Sequence, residues 1–260
     1  MTDRWNWSRL LLAGLGALLI LLIVGPLLKL VLMASPTTLG EALSDPELRD
    51  SIGLTVLTAT LSTALAGLLG LPLAYLLARR RFPGRRLVEG IVELPVVIPH
   101  PVAGIALLLF LGRRSLVGGA LARIGLEFVS RVPGIIAAML FVSAPILVSA
   151  AREAFASVDP KLERVARSLG DGAWKAFRRV TWPIARRGIL AGAILSWARA
   201  VSEFGSIVIL TYNPKVASIL IFDRFTAFGL TSAVPAAVVL LLMALGIFVL
   251  VRVLQPAQSR

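Results

Sequence analysis

The chain has no cysteine among its 260 residues and a single histidine, His100. Disulfides and thiolate metal sites are therefore excluded. One imidazole with no carboxylate or thiol in ligand spacing does not make a metal centre. Acidic residues number 14 against 27 lysines and arginines. No GxxxxGK[ST] phosphate loop, HExxH pair or GxSxG elbow occurs. The nucleotide, zinc and serine chemistries that those patterns carry are not expected, and no catalytic residue is assigned. Low-complexity tracts and internal repeats are also lacking. The missing repeat weighs against transporter folds built from two similar halves.

What the chain does have is apolar length. Hydrophobic residues make up 57% of it, more than a soluble domain can cover with polar surface. They fall in continuous runs rich in Leu, Ala, Val and Gly, without the alternation of barrel strands. About 20 helical residues cross a bilayer. Six spans follow, at about 10–33, 51–78, 87–111, 133–151, 184–211 and 230–252. The first has no charge from Leu10 to Leu28, longer than a cleavable signal's core, and is kept as a membrane helix. The fold class is an all-α integral membrane protein with six transmembrane helices.

The net charge of +13 is placed beside the spans. It therefore reports orientation rather than nucleic acid binding. With the N-terminus in the cytoplasm, eighteen basic residues lie on that side, seven lie opposite, and Lys29 and Arg199 fall within spans. Both termini and the segment between the fourth and fifth spans are thus expected in the cytoplasm. The first outer loop is acidic (Glu41, Asp45, Glu47, Asp50). The second is basic (Arg113, Arg114, Arg123, Arg131). Those arginines either attract an anion or acidic partner or are simply solvated.

The segment Asp159–Pro183, DPKLERVARSLGDGAWKAFRRVTWP, reads as two short helices joined at a glycine. Asp159 suits an N-cap and Pro160 the first helical position. Leu162, Val165, Ala166 and Leu169 share one apolar face. Gly170 suits a left-handed helix stop. Asp171 is expected to cap the second helix, whose Trp174, Phe177 and Val180 share a side, and Pro183 to close it. Such a hairpin either docks on a partner or lies on the lipid surface.

Within the spans, polar groups are few and costly. Glu93 and His100 lie in the third, in ELPVVIPHP; Arg199 and Glu203 lie in the fifth, in SWARAVSEFG. Arg199 and Glu203 stand four apart and can pair on one helix face. The pair either ties helices together or lines a path. Pro95, Pro99 and Pro101 require the third span to kink or unwind, which places it against protein rather than lipid. Gly53, Gly67, Gly70, Gly188, Gly192 and Ala193 permit close helix packing.

The hairpin resembles the EAA loop of ATP-binding-cassette importer permeases, E-A-A, three residues, Gly, nine residues, I-x-L-P. Gly170 and Pro183 stand at the family's separation. The E-A-A positions are Arg164, Val165 and Ala166, with Glu163 one place early; Val180, Thr181, Trp182 and Pro183 take the I-x-L-P positions. The leading glutamate and the leucine are departures. GIVELPVVIPHPVAGIALL, FASVDPKLERVARSLG and ILAGAILSWARAVSEFG are similar to the permease subunit of molybdate and tungstate importers, of the type I importer permease superfamily.

The resemblance implies a multi-pass cell-membrane subunit that works as a homodimer. Its partners are a second copy, a cytoplasmic ATPase dimer that binds ATP and Mg, an extracytoplasmic oxyanion-binding protein and the bilayer. No nucleic acid, no metal site and no cofactor in this chain are expected. The coupling residues it implies are Glu163, Arg164, Val165, Ala166, Leu169, Gly170, Trp174 and Pro183. Glu93, His100, Arg199 and Glu203 are the candidates for a translocation path or gate. The domain reading is residues 1–50 for tail, first helix and outer loop, 51–253 for the transmembrane domain with its coupling loop at about 152–183, and 254–260 for a tail. Sulfate or another anion remains an alternative cargo. A self-contained channel or secondary transporter remains an alternative class.

Overall fold

The structure, a computed structural model, describes residues 3–254. The expected tail beyond residue 254, and the side chains of Arg4 and Arg252, lie outside what is described. All regular structure among the described residues is helical. The described residues form two compact units, 3–49 with 221–243, and 50–220 with 244–254.

The first unit begins with α1 (Asp3–Met33), whose most apolar stretch has no buried residue. A short helix, α2 (Pro36–Ser44), follows where the sequence suggested only an acidic loop. A reciprocal cap explains it: Thr38 N donates to Ser35 Oγ, and Ser35 N donates to Thr38 Oγ1. This satisfies two otherwise orphaned donors. Arg224 donates to Asp45 Oδ2 and lies 3.3 Å from Glu47 Oε2. Burial works against the charged form of Asp45. The Arg224 hydrogen bond and charge, with backbone donors from Glu47 and Leu48, outweigh it and hold the carboxyl below its ordinary value.

The second unit is built on three helices. They are α3 (Pro46–Arg79), which starts earlier than the predicted span, α7 (Val132–Ala156) and α10 (Trp182–Val201). Leu147, Val148, Ala151 and Phe155 of α7 pack between Ala66 and Ala74 of α3 and Ala185 and Ile189 of α10. Small residues set the spacing. A Cβ on Gly192 would stand 2.4 Å from that of Ala150, and one on Gly188 would stand 2.8 Å from that of Ala154. Gly70 meets Val148 at 2.7 Å in the same way, whereas Gly53 faces open space and has no packing role. Ser196 Oγ donates 2.9 Å to the Ser143 carbonyl, and Trp197 Nε1 donates 3.1 Å to Thr60 Oγ1. Polar cross-links of this kind supplement close packing where lipid supplies no hydrophobic drive.

Between α3 and α7 lie α4 (Arg85–Val97), α5 (His100–Leu111) and α6 (Leu116–Arg123). The predicted third span is not one straight crossing, because α4 and α5 meet at a 114° bend. Ile98 is extended before Pro99 (φ −72°, ψ 133°), as a residue preceding proline prefers. Pro99 and Pro101 cannot donate backbone hydrogen bonds across the break. Ala103, Gly104 and Leu107 of α5 are buried, while α4 buries only Pro95. The inward placement therefore holds for the second half of this segment alone.

The rest of the second unit comprises α8 (Pro160–Ser168), α9 (Ala173–Ala176), a π-helical turn Phe177–Thr181, and α11 (Ile207–Leu210). The predicted fifth span ends early. α10 stops at Val201, a non-helical stretch follows, and α11 is a separate short helix. α12 (Ala217–Phe228) was not expected, and α13 (Leu230–Leu254) carries the last predicted span. Among the described residues four helices are long and apolar enough to cross a bilayer, or five if the bent α4–α5 pair counts as one span.

Candidate functional site: a clamped hairpin and a buried polar knot

The hairpin starts as its sequence suggests. Asp159 accepts from Lys161 N at 2.8 Å, and Pro160 opens α8. Gly170 takes φ +94°. Gly170 N donates to the Arg167 carbonyl and Asp171 N to the Ala166 carbonyl. These two bonds form the Schellman closure that a left-handed glycine permits. Asp171 is therefore spent on ending α8 and does not cap the second helix, where Gly172 stands at the N-cap. Its carboxylate instead accepts from Arg179 NH1 at 3.0 Å.

Pro183 does not close the hairpin. The chain is helical without interruption from Ala173 to Val201, and Pro183 lies in the first turn of α10. Proline has no N–H for the carbonyl four residues back. The π turn just before it widens the helix, and Trp182 N donates to the Phe177 carbonyl instead. The second hairpin helix is thus the leading end of α10.

Helical residues advance by about 100°, so α8 has two opposed sides. Leu162, Val165 and Leu169 are exposed, Leu169 to 83%. Trp174 is 71% exposed and stacks on Phe177, with ring centroids 5.5 Å apart. Glu163 lies on the other side and is buried. Arg79 NH2 donates to its Oε1 at 3.0 Å, Tyr75 Oη to its Oε2 at 3.2 Å, and the Thr181 hydroxyl to its Oε1. Arg79 NH1 also donates 2.8 Å to the Val158 carbonyl. Glu163 does not present its side chain outward, contrary to its expected docking role. It ties α8 to the end of α3 and to the π turn. Tyr75 packs edge-on against Phe155 and Phe177 at 5.4 and 5.1 Å. Tyr75 and Arg79 were not tied to Glu163 from sequence, since contacts over 88 and 84 residues leave no local pattern. Arg164 sits on the Glu163 side of α8 as well and faces a groove against α3.

The second site lies where α10 ends. Arg199 NH2 donates to Glu203 Oε2 at 2.8 Å, as the i, i+4 spacing suggested. His100, at the start of α5, joins the pair, with Nε2 2.7 Å from Arg199 NH2 and Nδ1 3.6 Å from Glu203 Oε2. Glu203 is fully buried. Its Oε1 accepts from Ser206 N at 2.8 Å and from Ser206 Oγ at 2.7 Å. The carboxylate thereby satisfies the backbone where α10 has broken off. A Cβ on Gly205 would stand 2.6 Å from that of His100, and one on Gly104 would stand 2.9 Å from the Ser206 carbonyl. Two helix breaks, at Pro99 and at 202–206, therefore meet in close contact. Glu93 is exposed on α4 and is not part of this cluster. Of the four arginines in the basic loop, Arg113 and Arg131 share Glu127, at 2.7 and 3.7 Å. Among the described residues no cluster of potential metal ligands occurs.

The described residues thus form a helical bundle with several apolar spans, an ordered, partly apolar hairpin and a buried polar knot. Residues 70–260 match the family described as binding-protein-dependent transport system inner membrane component, and the chain belongs to that family. It is a multi-pass membrane permease. The molybdate/tungstate transport system permease protein WtpB of Thermococcus kodakarensis is 42% identical over 251 residues, covering 96% of both chains. The protein of that name from Pyrococcus furiosus is 41% identical, again covering 96% of both. A probable sulfate transport system permease protein cysT of Chlorokybus atmophyticus is 31% identical over 94% of this chain and 86% of that one. Among solved structures, a bacterial ABC transporter involved in the import of the acidic polysaccharide alginate matches with a TM-score of 0.75. It is 20% identical and covers 99% of this chain and 97% of that one, which shows the fold.

Proposed function

We propose that this chain forms the translocation path of an ATP-driven importer of tetrahedral oxyanions, molybdate and tungstate above all. The likeness to molybdate/tungstate permeases along nearly the whole of both chains supports that cargo. The observation that carries the coupling mechanism is the hairpin: an exposed apolar stripe on α8, held rigid from behind by buried Glu163. A helix with an exposed Leu162–Val165–Leu169 edge and a firm backing is a helix-in-groove element.

In this reading the hairpin is the coupling loop. Val165, Ala166, Leu169 and Trp174 meet a cytoplasmic ATPase that holds ATP and Mg, so this chain needs no cofactor of its own. Glu163 and Gly170 set its shape, and Pro183 sets the π-turn junction to α10. Two copies with two ATPases receive cargo from an extracytoplasmic binding protein. Closure of the ATPase pair draws the hairpins together, and the bundles rock between inward-open and outward-open states. Six crossings result when 85–111 counts as one broken span and α10 as the fifth, with both termini in the cytoplasm. The meeting of Arg79 with Val158 and of Arg152 with Glu89 at 3.1 Å favours one basic face. The division at about residues 50 and 253 belongs to this reading. His100, Arg199 and Glu203 border the path, and Glu93 stands apart from them.

A second reading, sulfate import, is favoured by the relative named for sulfate transport. Uptake of labelled molybdate, tungstate and sulfate into vesicles carrying the permease, its ATPase and its binding protein separates the two. ATP-dependent molybdate or tungstate uptake that excess sulfate does not suppress is expected. Uptake of sulfate alone, or uptake without ATP, contradicts the proposal.

A further inference from the structure

The side of α8 opposite the exposed stripe borders an open cavity of about 1310 Å³ against the second half of α3. Its walls change character along α3. Ala64, Leu68, Leu71 and Leu76 give way to Arg79 and Arg80 at the helix end. Arg164 and Arg167 of α8 are added at that same end, because Glu163 on the same side of α8 is bonded to Arg79. Trp174 and Trp182 complete the wall there. Arg79 is committed to Glu163 and Val158, and Arg167 lies 3.9 Å from Glu163. Arg80 and Arg164 are both exposed, and among the described residues neither forms an ion pair.

The dimensions match one lipid leaflet. From Ala64 to Leu76 α3 rises about 18 Å at 1.5 Å per residue, against about 15 Å for half of a 30 Å hydrocarbon core. An apolar trough one leaflet deep ends at a tryptophan-lined rim in four arginine side chains, of which Arg79 is committed to Glu163 and Val158. That sequence of surfaces matches acyl chains, then an interfacial aromatic level, then an anionic headgroup. A protein helix seated there would have to carry acidic groups at one end alone to answer the same charges.

We infer that this groove binds one anionic phospholipid, its phosphate held by Arg80, Arg164 and Arg167 and its chains laid along α3. The bound phosphate bridges α3 to the hairpin by a second route beside Glu163, so the lipid stiffens the element that the proposed function assigns to coupling. The site itself depends only on the geometry and stands whether or not that function does.

The test is lipid retention by the intact permease. Wild type and an Arg80→Gln/Arg164→Gln variant are purified in mild detergent, relipidated with equal phosphatidylglycerol and phosphatidylcholine, and measured by native mass spectrometry. Neither substitution touches the Glu163 clamp. An Arg49→Gln variant, at a basic residue away from the groove, controls for general charge loss. The expected result is about one retained phosphatidylglycerol per chain, with phosphatidylcholine at least tenfold lower. The double variant should lose the preference and Arg49→Gln should keep it. Equal retention of both lipids, an unchanged preference in the double variant, or protection of a Leu68→Cys probe in the groove by a second copy of the chain would overturn the inference. Absence of uptake activity with the lipid preference intact would count against the proposed function and not against the lipid site.

Discussion

Two buried glutamates organise this protein, and they do different things with the same chemistry. Glu163 is clamped by Arg79, Tyr75 and Thr181, groups 84, 88 and 18 residues away. Glu203 is held by Arg199 and Ser206, four and three residues away, with His100 added from α5. The first carboxylate fixes one element against others and leaves the opposite face of α8 free. The second terminates a helix, taking up backbone and hydroxyl donors where α10 stops, and pins that break to the one at Pro99. A long-range clamp positions a surface, and a short-range one satisfies backbone groups that a broken helix would leave buried without partners.

The comparison predicts unequal effects. Glu203→Ala should do the most damage, since it strands Arg199 and leaves Ser206 N without its acceptor. Breaking one partner of a buried pair costs about 3–5 kcal/mol. Thermal unfolding in detergent should show that loss, and Glu203→Gln, which keeps an acceptor, should lose less. An unchanged melting profile for the alanine variant would remove the distinction between the two clamps.

Glu163→Ala should cost somewhat less overall, about 3 kcal/mol, and should show it locally. Hydrogen exchange should rise through residues 160–181 and leave α7 protected. Glu163→Met with Arg79→Met should recover much of the loss, because an apolar pair of similar volume avoids stranding a charge. Failure of the double variant to recover would mean the clamp acts through more than this ion pair.

Gly170→Val comes next. A β-branched residue at φ +94° costs about 1–2 kcal/mol by left-handed strain. The expected readout is weakened ATPase binding with the bundle still inserted. Asp45→Asn should matter least, about 0–1 kcal/mol for a partly exposed pair. Asp45 has a lowered pKa. Its contribution is therefore present above the unfolded value near 3.8 and lost as pH falls through the lower folded value. Acid titration of exchange at residues 36–50 should lose a low-pH inflection in the asparagine variant.

Much of this was legible in the sequence. The apolar runs gave the membrane class, and α8 with its caps, its stop at Gly170 and its exposed stripe could be read from local pattern alone. The Arg199–Glu203 pair followed from spacing. What escaped depended on distant partners or on backbone compromise. Glu163 looked like a surface residue because nothing near it in sequence discloses Arg79 or Tyr75. Its neighbour Arg164 likewise gave no sign of facing α3. The fifth span was read as running to residue 211 because Ile207–Leu210 continues the apolar run, while Glu203 and Ser206 end the helix between them. Pro183 looked like a stop, yet a π turn absorbs it. Ser35 and Thr38 did carry a readable cap for α2, and the acidic residues beside it drew attention instead.

If the exposed face of the clamped hairpin is where an ATPase docks, a charge placed on that face should sharply weaken binding. Tagged permease would be co-expressed with a cassette ATPase of a molybdate/tungstate importer and purified in mild detergent, comparing wild type with Leu169→Asp. Leu169 is 83% exposed, so the substitution should leave the melting profile within about 0.5 kcal/mol of wild type. Stoichiometric recovery of ATPase with the wild type, falling about tenfold with the variant, is the predicted result; that drop corresponds to about 1.4 kcal/mol of interface. Equal recovery with both proteins, or none with either, would contradict the account.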